Sequence, residues 1–307
     1  MKVLISGSTG LVGTALLDAL RQQGHNLARL VRPSTRNRPA GRATSPVALN
    51  LAWDPVAGTL DAAASGADAI VHLAGASIAG GRWTASRKRL LRDSRIAATR
   101  HLVDALAKLP QPPKVFVAAS AVGFYGDRGD EELTESSAAG QDFLAQLCRD
   151  WEAESGRAAA FGGRVVLLRF GIILAKHGGA LPQIALPFRL GVGGRIGSGR
   201  QWMSWLALAD AVGIIGYALR TSALSGPVNA VAPQPSRNAD FSAALGRVLH
   251  RPALFPTPSF VLRLALGEMA DALLLSSQRV LPEKLQRLGY PFVHQALEPA
   301  LQSVLRR

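Results

Sequence analysis

Gly7, Gly10 and Gly13 stand three residues apart in the segment Gly7-Ser8-Thr9-Gly10-Leu11-Val12-Gly13. Glycines at this spacing suit a turn that cradles phosphate. Gly7 permits a tight turn, Gly10 lets the backbone approach a pyrophosphate, and Gly13 lets a helix pack closely on a strand. A helix opening at Leu11 offers free N–H groups and the positive end of its dipole to the same anion. Ser8 and Thr9 add hydroxyl donors. A glycine triplet is weak evidence alone, so its flanks decide. Lys2–Ser6 is a short apolar run of the kind that forms a buried parallel strand. Leu11, Val12, Ala15, Leu16, Ala19 and Leu20 then recur at helical spacing, and Gly24 closes the helix. Strand, glycine turn and helix together favour a dinucleotide site over a plain strand–helix turn.

The next strand selects the dinucleotide. His25–Val31 reads as that strand. An enzyme for NAD places Asp or Glu at its end to hold the ribose hydroxyls. This chain has Arg29, Arg32 and, in the loop, Arg36, with no acid nearby in sequence. An arginine matches a 2′-phosphate in charge and fork geometry. The expected cofactor is therefore NADP(H), with NAD less favoured, and Arg32 is a candidate ligand of the 2′-phosphate.

The elements that position these residues follow one rhythm. After a Pro- and Arg-rich loop over Arg32–Pro46 come a helical stretch at Leu60–Ala64 and a strand at Ala69–Ala74. A long helix over Thr84–Leu109, a strand at Lys114–Ser120, a helix at Gln141–Ser155 and a strand at Arg164–Phe170 complete the run. Such alternation predicts an α/β fold with a doubly wound parallel sheet over residues 1–170. Beyond Gly171 the pattern loosens: glycines and prolines crowd Gly178–Gly199. Asp210–Leu219 reads as a helix and Val228–Ala232 as a strand able to return to the first domain. Arg251–Pro258 reads as a linker and Phe260–Leu275 as a helix. Residues 171–307 are thus expected to form a smaller, C-terminal substrate domain.

Bulk properties exclude several other classes. The net charge of +14 invites a nucleic-acid reading. Its excess arginines are scattered and lack the interleaved aromatics of a stacking platform, so we read them as solvated surface. No run of about eighteen apolar residues suggests a membrane span, and the N-terminal apolar run is too short for a signal peptide. The single cysteine, Cys148, forbids an intrachain disulfide and suits a reducing, cytoplasmic setting. No cluster has metal-ligand spacing, so no metal is expected. The partner expected is a small-molecule substrate; a homo-oligomer is compatible with the sequence.

Together with the glycine turn, His72-Leu73-Ala74-Gly75 and Ser120-Ala121-Val122-Gly123-Phe124-Tyr125-Gly126 resemble the extended short-chain dehydrogenases/reductases, which include nucleotide-sugar epimerases and dehydratases. Further segments narrow the resemblance. They are Trp53-Asp54-Pro55, Arg82-Trp83-Thr84, Ser94-Arg95, Gly178–Leu181, Gly197–Trp202 and Gly226–Pro233. They are similar to an atypical branch, the "epimerase family" subgroup with a distinctive small C-terminal domain. Arg251-Pro252, Leu266–Met269 and Gln278–Pro282 match its tail. The resemblance implies a Rossmann domain in which residues 7–13 (Gly7, Ser8, Thr9, Gly10, Leu11, Val12, Gly13) bind the pyrophosphate and Arg32 the 2′-phosphate. Leu73, Ala74 and Gly75 would pass beside the adenosine half. Ala119 and Ser120, with Arg169 and Gly171, would approach the nicotinamide half. It implies an NADP-dependent oxidoreductase or epimerase-like enzyme acting on a hydroxyl or carbonyl substrate such as a nucleotide sugar.

Typical members carry a Tyr-x-x-x-Lys pair on the helix after the fifth strand; the lysine's charge lowers the tyrosine's pKa for proton transfer. Here those places hold Leu144 and Cys148, and no tyrosine in the chain has lysine four residues on. Phe143, Leu147 and Trp151 form a stripe that buries this helix face, and Cys148 reads as packing. The remaining catalytic candidates are Tyr125, a proton donor or a wall residue, and Ser120, one residue from the usual place. Gln201 and Trp202, in a glycine-rich loop, are candidates for substrate recognition or for holding that loop. His72 reads as a core histidine. Lys88 and Arg95 share a helix face, read as solvated, with contact to an anionic substrate as the alternative. The missing pair also leaves a second function open, a non-catalytic NADP(H)-binding sensor or scaffold.

Overall fold

The computed structural model describes residues 1–35 and 48–306; Arg36 and most of the expected loop lie outside the described residues. The chain opens with β1 (Lys2–Ser6), α1 (Leu11–Gln22), β2 (Asn26–Val31), β3 (Leu49–Asp54), β4 (Thr59–Leu60) and β5 (Ala69–His72). A helical layer follows: α2 (Ala85–Arg92), one π-helical segment at Asp93–Ala97, and α3 (Ala98–Ala107). Then come β6 (Val115–Ala121), β7 (Glu132–Leu133), α4 (Phe143–Gly156), β8 (Arg164–Phe170) and β9 (Ile172–Leu174).

The main sheet has the order β12-β8-β6-β5-β1-β2-β3-β4, where β12 is Gly226–Ala230. Every pairing in it is parallel except β3 with β4. Side chains alternate across its plane as strand geometry requires. Val3, Ile5, Val71, Val117 and Leu168 pack with Leu16 and Leu20 of α1 on one face. Leu4, Ile70, Phe116 and Ala118 pack with Leu102 and Leu106 of α3 on the other. This is the expected doubly wound α/β sheet. The strand β3 escapes a reading by apolar runs, because only Leu51 and Trp53 of its six residues are buried and the sequence before it is of low apolar content.

The rest of the chain builds a smaller region. The elements after β9, besides β12, are α5 (Leu181–Arg189), β10 (Trp202–Met203), β11 (Trp205–Ala207), α6 (Leu208–Arg220), β13 (Ser236–Arg237), α7 (Asn238–Leu249), α8 (Ser259–Leu266), α9 (Glu268–Ala270), β14 (Arg279–Val280), α10 (Glu283–Arg287) and α11 (Leu297–Arg306). Leu181, Phe188, Trp205, Phe241, Leu245 and Leu301 form the core of the smaller region. Residues 171–307 do not all stay in that region. Both α6 and β12 belong to the sheet layer: Ile214 and Ile215 pack on it, and β12 pairs with β8. The helix expected over Phe260–Leu275 is broken at Gly267, which takes φ +64°. No helix among the described residues is long and apolar enough to cross a membrane.

Candidate dinucleotide site and its surroundings

Gly7 sits at φ +69°, a conformation that a side chain disfavours. A Cβ there would lie 2.6 Å from the Leu73 carbonyl carbon and 2.8 Å from the Ala74 nitrogen. The turn therefore rests on the backbone that leaves β5. A Cβ on Gly13 would overlap the Gly7 carbonyl oxygen and come within 2.8 Å of Ser8 Cα, so α1 packs directly on the turn. Gly10 is different: it is exposed, and a Cβ there would have only the Gly7 oxygen near it, at 3.3 Å. It is the residue before α1, and no side chain caps that helix. Its first N–H groups have no partner within the helix. An exposed rim at Thr9 and Gly10, a tight turn behind and an uncapped helix end together fit a dinucleotide pyrophosphate.

The neighbouring residues divide into those at the rim and those turned inward. Ser8 is buried and its hydroxyl accepts a hydrogen bond from Arg29 Nε at 3.1 Å; it fixes the turn from below. Leu11 and Val12 are half-buried, and Gly178 and Gly179 pass against Leu11. Arg32 is exposed just past β2. The sequence shows no acid near it, but β3 brings Asp54 within its electrostatic reach. The amides of Ala57 and Val56 hold the Asp54 carboxyl below the usual range, and the Arg32 charge adds to this. Asp54 thus caps its own turn. Leu73, Ala74 and Gly75 line the loop after β5.

At the ends of β6, β8 and β12 the chain builds a buried polar network. Ser120, Arg169 and Asn229 stand opposite one another across the three strands. Arg169 donates to both carboxylate oxygens of Glu152 on α4, each at 2.8 Å. Burial opposes the Arg169 charge, but Glu152 overcomes it and raises the pKa. Ser120 donates to Glu152 at 2.6 Å. The Tyr125 hydroxyl accepts from Arg169 at 2.9 Å and donates toward Asn229 Oδ1 at 2.6 Å. Tyr125 is fully buried, and burial pushes its hydroxyl up despite Arg169. Tyr125 and Ser120, the two sequence candidates for proton transfer, thus belong to one buried hydrogen-bonded network around the Arg169 guanidinium. Gly171 is explained by packing, since a Cβ would lie 2.5 Å from the Ser204 oxygen. Ala119, on the opposite face of β6, is half-buried against the α1–α6 layer.

The α4 face is apolar and packed. Leu144 and Leu147 pack with Trp83, Leu91 and Met269, and Cys148 is buried with its thiol pushed up to about 12 by burial. His72 bonds Ser6 at 2.6 Å and Thr99 at 2.9 Å, and burial brings it down to about 4. Gln201 is buried and spends its amide on the carbonyls of Ile196 and Leu274, both at 3.1 Å. The Trp202 ring lies against Arg237 and Arg279, and its N–H donates to Asp130 at 2.8 Å. Both residues stitch the glycine-rich loop to residues 274–279; the cause, invisible in sequence, is that this later segment runs alongside. Among the described residues no group of three His, Cys, Asp or Glu side chains is placed to hold a metal ion.

A parallel sheet of this order, with a glycine turn opening an uncapped helix beside the crossover point, defines a dinucleotide-binding α/β protein. The chain belongs to the NAD dependent epimerase/dehydratase family, whose model matches residues 3–230. A second model, a domain of unknown function (DUF1731), matches residues 257–304. An epimerase family protein of Mycobacterium leprae is 42% identical over 306 residues, 99% of this chain and 96% of its own. The crystal structure of human epimerase family protein SDR39U1 with NADPH superposes at a TM-score of 0.88, with 34% identity and all of both chains covered. A structure described as a nucleoside-diphosphate sugar epimerase of Corynebacterium glutamicum matches at 36% identity and a TM-score of 0.79, over 99% of this chain and 58% of that one.

Proposed function

We propose that the chain binds NADP(H) across the C-terminal edge of the sheet and uses it in hydride transfer to or from a hydroxyl- or carbonyl-bearing small molecule. The observation that carries the cofactor assignment is the turn at Gly7–Gly13, open only at Thr9 and Gly10 and continued by exposed Arg32. The NADPH in the human relative's structure supports it. In this reading the turn and the N-terminus of α1 bind the pyrophosphate. Arg32 reads the 2′-phosphate, and residues 73–75 flank the adenosine half. When bound, the nicotinamide supplies or takes the hydride. Leu144 and Cys148 exclude water from the α4 face and move no proton. Tyr125 and Ser120 hold the strand ends in place, so we assign proton transfer to water or to a group of the substrate. The names of relatives support a nucleotide sugar as the substrate class.

The apolar, packed α4 face favours a second reading, an NADP(H)-binding sensor or scaffold without turnover. Titration with NADPH and NADH, followed by a panel of carbonyls and nucleotide sugars, separates the cases. Tight NADPH binding with turnover is expected. Binding without turnover across a broad panel supports the sensor, and failure to bind either dinucleotide overturns both.

A further inference from the structure

The helix α8 has the sequence Ser-Phe-Val-Leu-Arg-Leu-Ala-Leu, and none of its residues is buried. Phe260 is 68% exposed and Leu264 77%. The two stand one turn apart and share a helix face. The far end of α8 is anchored. Leu266 packs into the cluster of Trp83, Leu144 and Met269, and Arg263 pairs with Asp271 at 2.9 Å. The exposed face is therefore held in place by the fold.

The apolar surface continues beside α8. The Phe255 amide donates to the Gly193 carbonyl at 3.1 Å, and the Thr257 amide to the Arg195 carbonyl at 2.9 Å. This pairing sets exposed Leu254 and Phe255 next to the chain that leaves α5, where Leu190 and Val192 are also exposed. Among the described residues, eight of the thirteen large apolar side chains left exposed fall between Leu186 and Leu264. Scattered singly they would need no account, but such a concentration marks a docking face.

Charge indicates what docks there. Residues 186–200 and 247–266 contain six arginines and no acid. Arg247 and Arg263 pair with Glu298 and Asp271. Arg189, Arg195 and Arg251 are exposed and form no ion pair among the described residues. Arg247, His250 and Arg251 also line an open hollow of about 700 Å³ that reaches Leu254. A second copy of the chain on a two-fold axis would set this face against itself, arginine to arginine. A surface of phosphates over hydrocarbon matches both the cations and the apolar side chains. We infer that this face docks the protein on an anionic lipid bilayer. Phe260 and Leu264 enter the headgroup boundary, and the arginines meet lipid phosphates. The hollow beside Leu254 receives a headgroup.

Co-sedimentation of the full chain with vesicles tests this. One set is phosphatidylcholine alone, and the other is phosphatidylcholine mixed with phosphatidylglycerol. Retention on the mixed vesicles, weakened by salt, and little on phosphatidylcholine are expected. The Phe260→Ser, Leu264→Ser double variant should bind about tenfold more weakly or worse at an unchanged Tm. Arg251→Gln should bind about fivefold more weakly. A wild type that stays off the mixed vesicles overturns the inference. So does a double variant retained as well as wild type, because net charge alone would then hold the protein. Equilibrium sedimentation supplies the remaining outcome: a wild-type dimer that the double variant dissolves gives the face to a second copy and overturns the lipid assignment. If the double variant loses Tm, Leu190→Ser, beyond α8 on the same surface, repeats the test. Its unchanged retention overturns the inference equally.

Discussion

Alanine at Gly10 and alanine at Gly13 should have opposite effects, although the residues share one turn. At Gly13 the added methyl meets the Gly7 carbonyl and Ser8 Cα, both backbone atoms with no side chain to rotate away. Overpacking of that kind costs about 1–3 kcal/mol, which in a chain of this length lowers Tm by about 2–5 °C. At Gly10 the backbone is extended, with φ −77° and ψ 173°, and alanine adopts it without strain. The methyl there touches only one oxygen at 3.3 Å, so stability should fall by at most about 1 kcal/mol, the scale of a helix-cap change. It would project into the open mouth of the turn, where the pyrophosphate is assigned, and weaken NADPH by at least about tenfold. Thermal denaturation and NADPH titration of both variants measure the two effects. Wild-type affinity in a folded Gly10→Ala variant would refute the phosphate cradle, whatever Gly13→Ala does.

Three further outcomes follow from buried groups. Glu152→Ala strands the Arg169 charge, whose side chain is only 4% exposed, and should cost about 3–5 kcal/mol in urea denaturation; Glu152→Leu with Arg169→Met should recover most of it. His72 is neutral when folded, its pKa lowered from 6.5 to about 4. The unfolded chain binds the extra proton, so stability is full above pH 6.5 and declines by about 3 kcal/mol as pH falls toward 4. His72→Gln should flatten that part of the pH–stability curve. Cys148, protonated and buried, should resist alkylation at pH 8 in native protein and react after denaturation; rapid native labelling would contradict its placement.

The sheet is legible in the sequence where burial is two-sided. Lys2–Ser6 and Arg164–Phe170 fall within their expected limits because both faces are covered and the apolar run is continuous. The strand Leu49–Asp54 is hidden because only one face is covered, and with it goes the nearness of Asp54 to Arg32. A single helical period over 84–109 puts Arg95 on a solvated face, but the helix carries a π-helical turn at 93–97, and Arg95 there is half-buried over the Trp151 ring. For Tyr125, position along the chain is readable while its neighbours are not. Asn229 and Arg169 come from strands far away in sequence, and no local pattern announces them. Gln201 shows the same limit, since the Leu274 carbonyl that occupies its amide arrives seventy-three residues later.

The late arrival of β12 also governs how this protein is made. β8 is complete at Phe170, yet its outer edge stays unpaired until Gly226–Ala230 reaches it. During synthesis the nascent chain must therefore carry an open strand edge through more than fifty residues of intervening chain. Open edges invite pairing with other chains, and non-local closure is slow. A fragment ending near residue 170 would expose that edge permanently, so a soluble, minimal nucleotide-binding fragment has to extend past Ala230.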